Sequence, residues 1–96
     1  MSDYPKIESV TPLDDFKLRV KFANGVEKIY DCRPLLAKPP FTLLQSPALF
    51  RAVKVDSGGY GISWNDDLDL SEAELWRHGV SPVAEHYLSR ETGNAS

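Results

Sequence analysis

Residues 16–25, with the sequence FKLRVKFANG, constrain the fold of this chain more than any other stretch. Apolar and basic side chains alternate along its first seven positions, which is the period of a β-strand with one buried face. The apolar positions are Phe16, Leu18, Val20 and Phe22, and the basic positions between them are Lys17, Arg19 and Lys21. The Asn24-Gly25 pair that follows predicts a hairpin, because both residues tolerate a positive φ. The chain is therefore expected to build an antiparallel sheet against a core.

The strand that returns from this turn, over residues 26–31, is compatible with two registers. A three-residue loop places Lys21 opposite Glu27, so that opposite charges pair across the hairpin. The same loop places Lys17 opposite Asp31. A two-residue loop instead turns both acidic side chains onto the apolar face. Hydrophobicity alone does not choose between them, and we favour the three-residue loop with its glycine in the left-handed conformation.

Short elements are also predicted along the rest of the chain. We expect strands near residues 6–11, 16–22, 26–31, 53–56 and 60–64, and short helices near 34–37, 47–52 and 72–78. These elements define an α+β fold in which two hairpins form a small antiparallel sheet. A single domain over residues 1–80 is expected, because 96 residues with 42% hydrophobic content suffice for one core. Ser81 and Pro82 can start a further helix over 82–89, so the extension 81–96 is expected to be partly helical and then frayed.

The helix near residues 72–78 has the clearest start signal in the chain. Ser71 and Glu74 form a capping box, in which the serine hydroxyl accepts from the backbone of the glutamate. Leu70 and Leu75 can close against each other as a hydrophobic staple. Basic residues in the last turn suit the negative end of the helix dipole. Several local rules therefore agree on this one helix.

Charge is distributed unevenly between the two parts of the chain. The net charge is −3, which argues against a general affinity for nucleic acid. Residues 1–55 hold nine Lys/Arg and six Asp/Glu, whereas residues 56–96 hold two and eight. An acidic surface is expected from Asp66, Asp67, Asp69, Glu72 and Glu74, and it suits either a basic protein partner or solvation alone. We expect a protein partner or a homodimer, with no direct nucleic-acid contact and no membrane.

The cellular compartment is expected to be the cytoplasm. No stretch approaches the roughly 20 apolar residues that cross a bilayer, and the N-terminal residues lack the pattern of a secretory signal. The single Cys32 cannot form an internal disulfide, which agrees with a reducing compartment.

No motif in the sequence indicates catalysis, a metal or a cofactor. The acidic run NDDLD, residues 65–69, lacks the donor spacing, glycine and closing glutamate of a calcium loop, and it is interpreted as a turn leading into the Ser71 cap. The glycines at 58, 59 and 61 lie inside a predicted hairpin, whereas a phosphate loop precedes a helix. Both histidines lie late in the chain, without a nucleophile expected in reach. We therefore expect a protein that is not an enzyme.

Aromatic residues suggest a second hypothesis. Tyr60, Ile62 and Trp64 are predicted to share one face of a strand, and Trp64 and Trp76 are both expected to belong to the core. If they line a cavity instead, Tyr60, Trp64 and Trp76 form a pocket for a small ligand. A small-ligand binding domain is the alternative to a protein-binding module.

The motifs of the chain lie in two stretches, VTPLDDFKLRVKFANGVEKIYDCRPLL followed by GISWNDDLDLSEAELW. This order, over roughly residues 5–78, resembles the domain of unknown function 2442 family of small, mostly bacterial proteins. The matching positions are Phe22, Gly25, Asp31, Leu35, Trp64, Asp69, Ser71 and Leu75, whereas Asp67 stands where many members have glycine.

The resemblance implies no established activity and no catalytic residues to carry over. Some family members are fused to a helix-turn-helix, for which the tail after Gly79 is too short. Others are encoded beside a second small protein in pairs that look like toxin-antitoxin modules. The expected function is a non-enzymatic protein-binding or regulatory module, of which the antitoxin-like member of a two-protein pair is one form.

Overall fold

Two three-stranded antiparallel sheets form the framework in a computed structural model that describes residues 4–82. The first sheet has the order β1-β2-β3, with β1 Ile7–Pro12, β2 Lys17–Phe22 and β3 Glu27–Asp31. The second has the order β4-β5-β6, with β4 Lys54–Val55, β5 Gly61–Asn65 and β6 Leu68–Ser71. The helices are α1 Pro47–Phe50 and α2 Glu72–His78, and short 3-10 turns cover Asp14–Phe16, Arg33–Leu35, Phe41–Gln45 and Ser57–Gly59. The predicted α+β class is confirmed.

The first hairpin has the register that was favoured from its charges. Lys21 lies opposite Glu27 and Lys17 lies opposite Asp31, which requires a loop of three residues. Gly25 in that loop has φ +90°, the left-handed conformation that glycine adopts at little cost. Charge pairing and turn chemistry therefore specified this register locally.

The strands lie in two sheets, where the sequence led us to expect one sheet of two hairpins. The additional strand is β6, in a stretch that the sequence predicts to be part of a turn. Only Asp66 and Asp67 form the turn, after which the chain returns alongside β5. Leu68 and Leu70 are buried and Asp69 between them is exposed, so the strand does alternate. Its two apolar residues were too short a pattern to stand out within an acidic run.

The predicted short helices are present but differ in type and length. The helix expected near 34–37 is a single 3-10 turn, Arg33–Leu35. The helix expected over 47–52 ends at Phe50, and its Ser46 cap accepts from the backbone N–H of Leu49. In α2 the predicted cap is present, with Ser71 Oγ accepting from the backbone N–H of Glu74 at 3.1 Å. The helix predicted over 82–89 and the extension 81–96 lie, beyond Pro82, outside the described residues.

One cluster of buried side chains joins the two sheets to α2. Its fully buried members are Leu18, Val20, Phe22, Cys32, Leu44, Ile62, Leu68 and Leu75. Among residues 4–82 no polar or charged residue is buried, so the core is apolar throughout. No helix in this part of the chain has the length and apolar character needed to cross a membrane.

Contacts from the end of α2 hold that helix against β3. Ile29 and Val80 exchange two backbone hydrogen bonds, of 2.7 and 2.9 Å, immediately after the helix ends. Lys28 Nζ lies 3.9 Å from the centroid of the Trp76 ring and donates to the Trp76 carbonyl oxygen. Because β3 and α2 are joined at these points, polar side chains from both can meet at one surface.

Candidate functional site

A groove of about 330 Å³ lies between the end of β3 and one side of α2. It is lined mainly by Tyr30, Asp31, Leu35, Lys38, Glu74 and His78. Two carboxylates, one amine, one imidazole and one phenol therefore face the same space, beside an apolar wall. Such a combination of an apolar surface and a few polar groups is typical of sites for small molecules.

A hydrogen bond within the groove joins β3 to α2. The Tyr30 hydroxyl donates to Glu74 Oε2 at 2.8 Å. Burial raises the pKa of Tyr30 above its ordinary value. The hydrogen bond to Glu74 and the negative charge of Glu74 act in the same direction. The phenol therefore stays protonated at neutral pH and remains a donor to the carboxylate.

The second Glu74 oxygen lies near the imidazole of His78, one turn further along α2. Glu74 Oε1 and His78 Nε2 are 3.8 Å apart, which is too long for a hydrogen bond. Both side chains are substantially exposed. This oxygen can therefore accept a hydrogen bond from a molecule outside the protein.

Arg33 holds the side chain of Asp31, which lines the groove from β3. Arg33 Nη2 donates to Asp31 Oδ2 at 2.8 Å, Arg33 Nε donates to Oδ1 at 3.0 Å, and the Arg33 backbone N–H donates to Oδ1 at 2.9 Å. These side-chain hydrogen bonds lower the pKa of Asp31 from its ordinary value, against the opposing effect of burial. The carboxylate is therefore ionised and largely neutralised by its neighbour.

A second surface of interest is the solvent face of the first sheet. Lys17, Arg19 and Lys21 lie on this face, because the residues between them are buried on the other one. Cross-strand pairing places Thr11 beside Arg19 and Ser9 beside Lys21. The face thus combines a column of cations with a neighbouring column of hydroxyl groups.

Exposed carboxylates pair with two of these cations. Arg19 Nε lies 2.9 Å from Glu27 Oε1, and Lys21 Nζ lies 3.5 Å from Glu8 Oε1. All four side chains are between two and three fifths exposed. Ion pairs this exposed contribute at most about 1 kcal/mol each, so they exchange readily for another anion.

The acidic residues predicted to bind a partner are only partly brought together. Asp66, Asp67 and Asp69 are exposed in the β5–β6 hairpin. Glu72 is half-buried at the start of α2, where its Oε2 lies 3.1 Å from Lys6 Nζ. The charge of Glu72 is thus engaged within the fold, while the three aspartates face solvent.

The aromatic residues predicted to line a ligand pocket lie in different environments. Trp64 is only 5% exposed, and its indole N–H donates to the Phe50 carbonyl oxygen at 3.0 Å, as expected for a core residue. Tyr60 is 61% exposed, and Lys6 Nζ lies 4.1 Å from its ring centroid. Trp76 is half-buried on α2. The expected shared face of Tyr60 and Trp64 is wrong, because β5 begins only at residue 61, after a 3-10 turn.

A smaller concavity lies beside the turn that precedes β2. Asp14, Phe16, Phe50 and Arg51 contribute to its lining. Asp15 and Phe16 have φ +62° and +58°, a conformation that is uncommon for residues other than glycine. The alternating pattern placed Phe16 in the strand, but this turn removes it from β2.

Sequence reasoning missed the groove between β3 and α2. The capping box accounts for Glu74, and the helix dipole accounts for the basic residues of the last turn, which include His78. The spacing of four residues between Glu74 and His78, which places both side chains on one face of α2, was a signal that could have drawn attention to them. Tyr30 lies within the predicted strand 26–31 but in no predicted site. Nothing local in the sequence indicated that Tyr30 would meet this helix face.

Comparison with known proteins identifies one family and one related structure. The family model described as "Protein of unknown function (DUF2442)" matches residues 7–81. Among curated proteins, none matches the chain. A crystal structure of the "Putative DNA Binding Protein NE0471" of Nitrosomonas europaea is similar, with 26% sequence identity and a TM-score of 0.59. The similarity covers 69% of this chain and 44% of that protein, so the chain spans less than half of its length.

This structural relative corrects the expectation about partners. From the sequence alone, the net charge and the acidic C-terminal part of the chain predict a protein partner and no direct nucleic-acid contact. The name of the Nitrosomonas protein contradicts that expectation. A net charge describes the whole chain, whereas contact with a phosphate backbone depends on the charge of one surface.

Proposed function

The chain belongs to the DUF2442 family, and we propose that it is a non-enzymatic regulatory module that contacts DNA through its first sheet. The observation that carries the proposal is the 26% identity to a protein named for DNA binding, at a TM-score of 0.59. Regulation by DNA contact is also compatible with the antitoxin-like role suggested by the family resemblance. The proposal concerns the face of β1, β2 and β3 that is turned away from the core.

The geometry of that face supports contact with phosphate groups. Successive exposed residues on one side of a strand are about 6.6 Å apart, so Lys17, Arg19 and Lys21 form a regular line of cations. The hydroxyl groups of Ser9 and Thr11 lie alongside and can donate to phosphate oxygens. Contacts of this kind position a protein on DNA without reading its sequence.

The nearby carboxylates are compatible with this role. Glu27 and Glu8 hold Arg19 and Lys21 in exposed ion pairs, which are weak in water. A phosphate diester offers the same cations a competing anion and releases condensed counterions from the DNA. The ion pairs therefore reduce the affinity for DNA without abolishing it, and binding should depend strongly on salt.

Fluorescence anisotropy with a labelled duplex DNA, measured between 50 and 200 mM salt, tests the proposal. We expect the double variant Arg19→Ala/Lys21→Ala to bind more weakly. The slope of its log affinity against log salt concentration should be shallower by the contribution of about two phosphate contacts. The matched control is Arg51→Ala/Lys54→Ala, which removes the same charge from exposed positions outside the first sheet. The control should lose little affinity.

Two results would overturn the proposal. One is that the unmodified chain fails to bind duplex DNA even at the lowest salt concentration. The other is that both double variants lose affinity equally, since this would show a response to total charge and not to the sheet face. Circular dichroism of each variant establishes that its fold is retained.

A further inference from the structure

The groove between β3 and α2 contains groups whose bonding capacity is not used within the described part of the chain. Glu74 accepts one hydrogen bond, from the Tyr30 hydroxyl, through Oε2. Its Oε1 lies 3.8 Å from His78 Nε2, which is beyond hydrogen-bond distance. Lys38 lines the same groove and forms no ion pair with any residue between 4 and 82. The groove therefore offers one acceptor and one cation to a bound molecule.

The other charged group of the groove is already balanced. Asp31 is held by two side-chain nitrogens and the backbone N–H of Arg33, so its charge is compensated. What remains is one negative group, Glu74, and one positive group, Lys38. This balance disfavours a purely anionic or purely cationic ligand, because either one would leave the opposite charge of the groove without a partner.

The apolar part of the groove adds a third requirement. Leu35 contributes to the wall beside the charged groups. A volume of about 330 Å³ is at the small end of the range for ligand sites. A molecule with a short apolar side chain and two opposite charges would satisfy the carboxylate, the amine and this wall together.

We infer that the groove between β3 and α2 binds a small zwitterion of the amino-acid class that carries an apolar side chain. Its ammonium group donates to Glu74 Oε1, its carboxylate meets the Lys38 ammonium, and its side chain packs against Leu35. The Tyr30 hydroxyl orients Glu74 for this contact. The inference does not depend on DNA contact, because none of these residues belongs to the cation column of the first sheet.

Isothermal titration calorimetry with three related probes tests the inference on the full chain. The probes are L-leucine, 4-methylpentanoate, which lacks the ammonium group, and isopentylamine, which lacks the carboxylate. We expect leucine to bind at least about tenfold more tightly than either analogue, as the loss of one charge-assisted hydrogen bond implies. No heat of binding for leucine at millimolar concentration, or equal affinities for the three probes, would overturn the inference.

Two variants assign the charges of the probe to the two residues. Glu74→Gln keeps an acceptor for Tyr30 and should weaken leucine binding about tenfold, leaving 4-methylpentanoate unchanged. Lys38→Met should weaken leucine similarly and leave isopentylamine unchanged. Lys54→Met, an exposed lysine on β4, is the matched control and should change none of the three. Leucine binding that is unaffected by both groove variants would rule the site out, and Lys38→Met keeps this test valid if Glu74→Gln does not fold.

Discussion

Gly25 and Gly61 are both specified as glycine, but for different physical reasons. Gly25 has φ +90°, and a Cβ built on it would meet no atom within 4 Å. The requirement there is conformational. Gly61 has no such φ, but its Cβ would lie 2.6 Å from the Leu70 carbonyl oxygen on the neighbouring strand. The requirement there is space, because β5 and β6 approach closely at this point.

We predict that asparagine distinguishes the two positions. Gly25→Ala should lower the free energy of unfolding by about 1–2 kcal/mol, and Gly25→Asn by less, because asparagine tolerates the left-handed conformation. At Gly61 asparagine should be more destabilising than alanine, because it is the larger side chain. Gly61→Ala already overpacks the strands and should lower the free energy of unfolding by about 1–3 kcal/mol. Urea denaturation of the four variants measures these differences. The same order at both sites would contradict the distinction between conformation and space.

At the scale of elements, the β2–β3 hairpin shows how far local rules reach. Its register follows from the charge pairs and from the turn, and the structure confirms both. The same hairpin carries Tyr30 on the face that packs toward α2, a contact that no local rule indicated. β6 shows the opposite case, since two buried leucines in an acidic run were insufficient to predict a strand.

The hairpin also gives a prediction about the proposed function. Glu27→Gln removes the carboxylate that holds Arg19 at 2.9 Å. Because the guanidinium becomes available to phosphate, we expect the affinity for duplex DNA at 50 mM salt to rise severalfold. Stability should change by no more than about 1 kcal/mol, since the ion pair is exposed. Anisotropy and urea denaturation measure the two quantities, and an unchanged or lower DNA affinity would contradict the role assigned to Arg19.

At the scale of the whole molecule, the apolar core makes stability sensitive to alkaline pH. Burial, with a smaller effect of the Asp31 charge, raises the pKa of Cys32 to about 12. In the unfolded chain the pKa of a thiol is about 8.5. The stability contribution of the neutral thiol is therefore fully present below the unfolded pKa and is lost as pH rises toward the folded pKa. Tyr30, whose pKa is also raised by burial, acts in the same direction at higher pH.

We predict that the unfolding free energy falls between pH 9 and 11 less steeply in Cys32→Ala than in the unmodified chain. The difference in slope should approach about 1.4 kcal/mol per pH unit, the value for one proton. Urea denaturation at several pH values measures this slope. Because lysines titrate in both chains, their contribution is removed when the slopes of the two chains are subtracted. Parallel slopes would show that the thiol does not control alkaline stability.

The sequence by itself determined the parts of this protein that depend on near neighbours. Alternation placed Leu18, Val20 and Phe22 in the core, and Ser71 with Glu74 began α2. Only the tertiary structure decided which distant side chains meet. Tyr30 and Glu74 are 44 residues apart, and they share a groove because the core and the contacts after α2 bring the helix to β3. Secondary structure follows from periodicity and capping within a few residues, whereas a site assembled from two elements depends on how their apolar faces pack together.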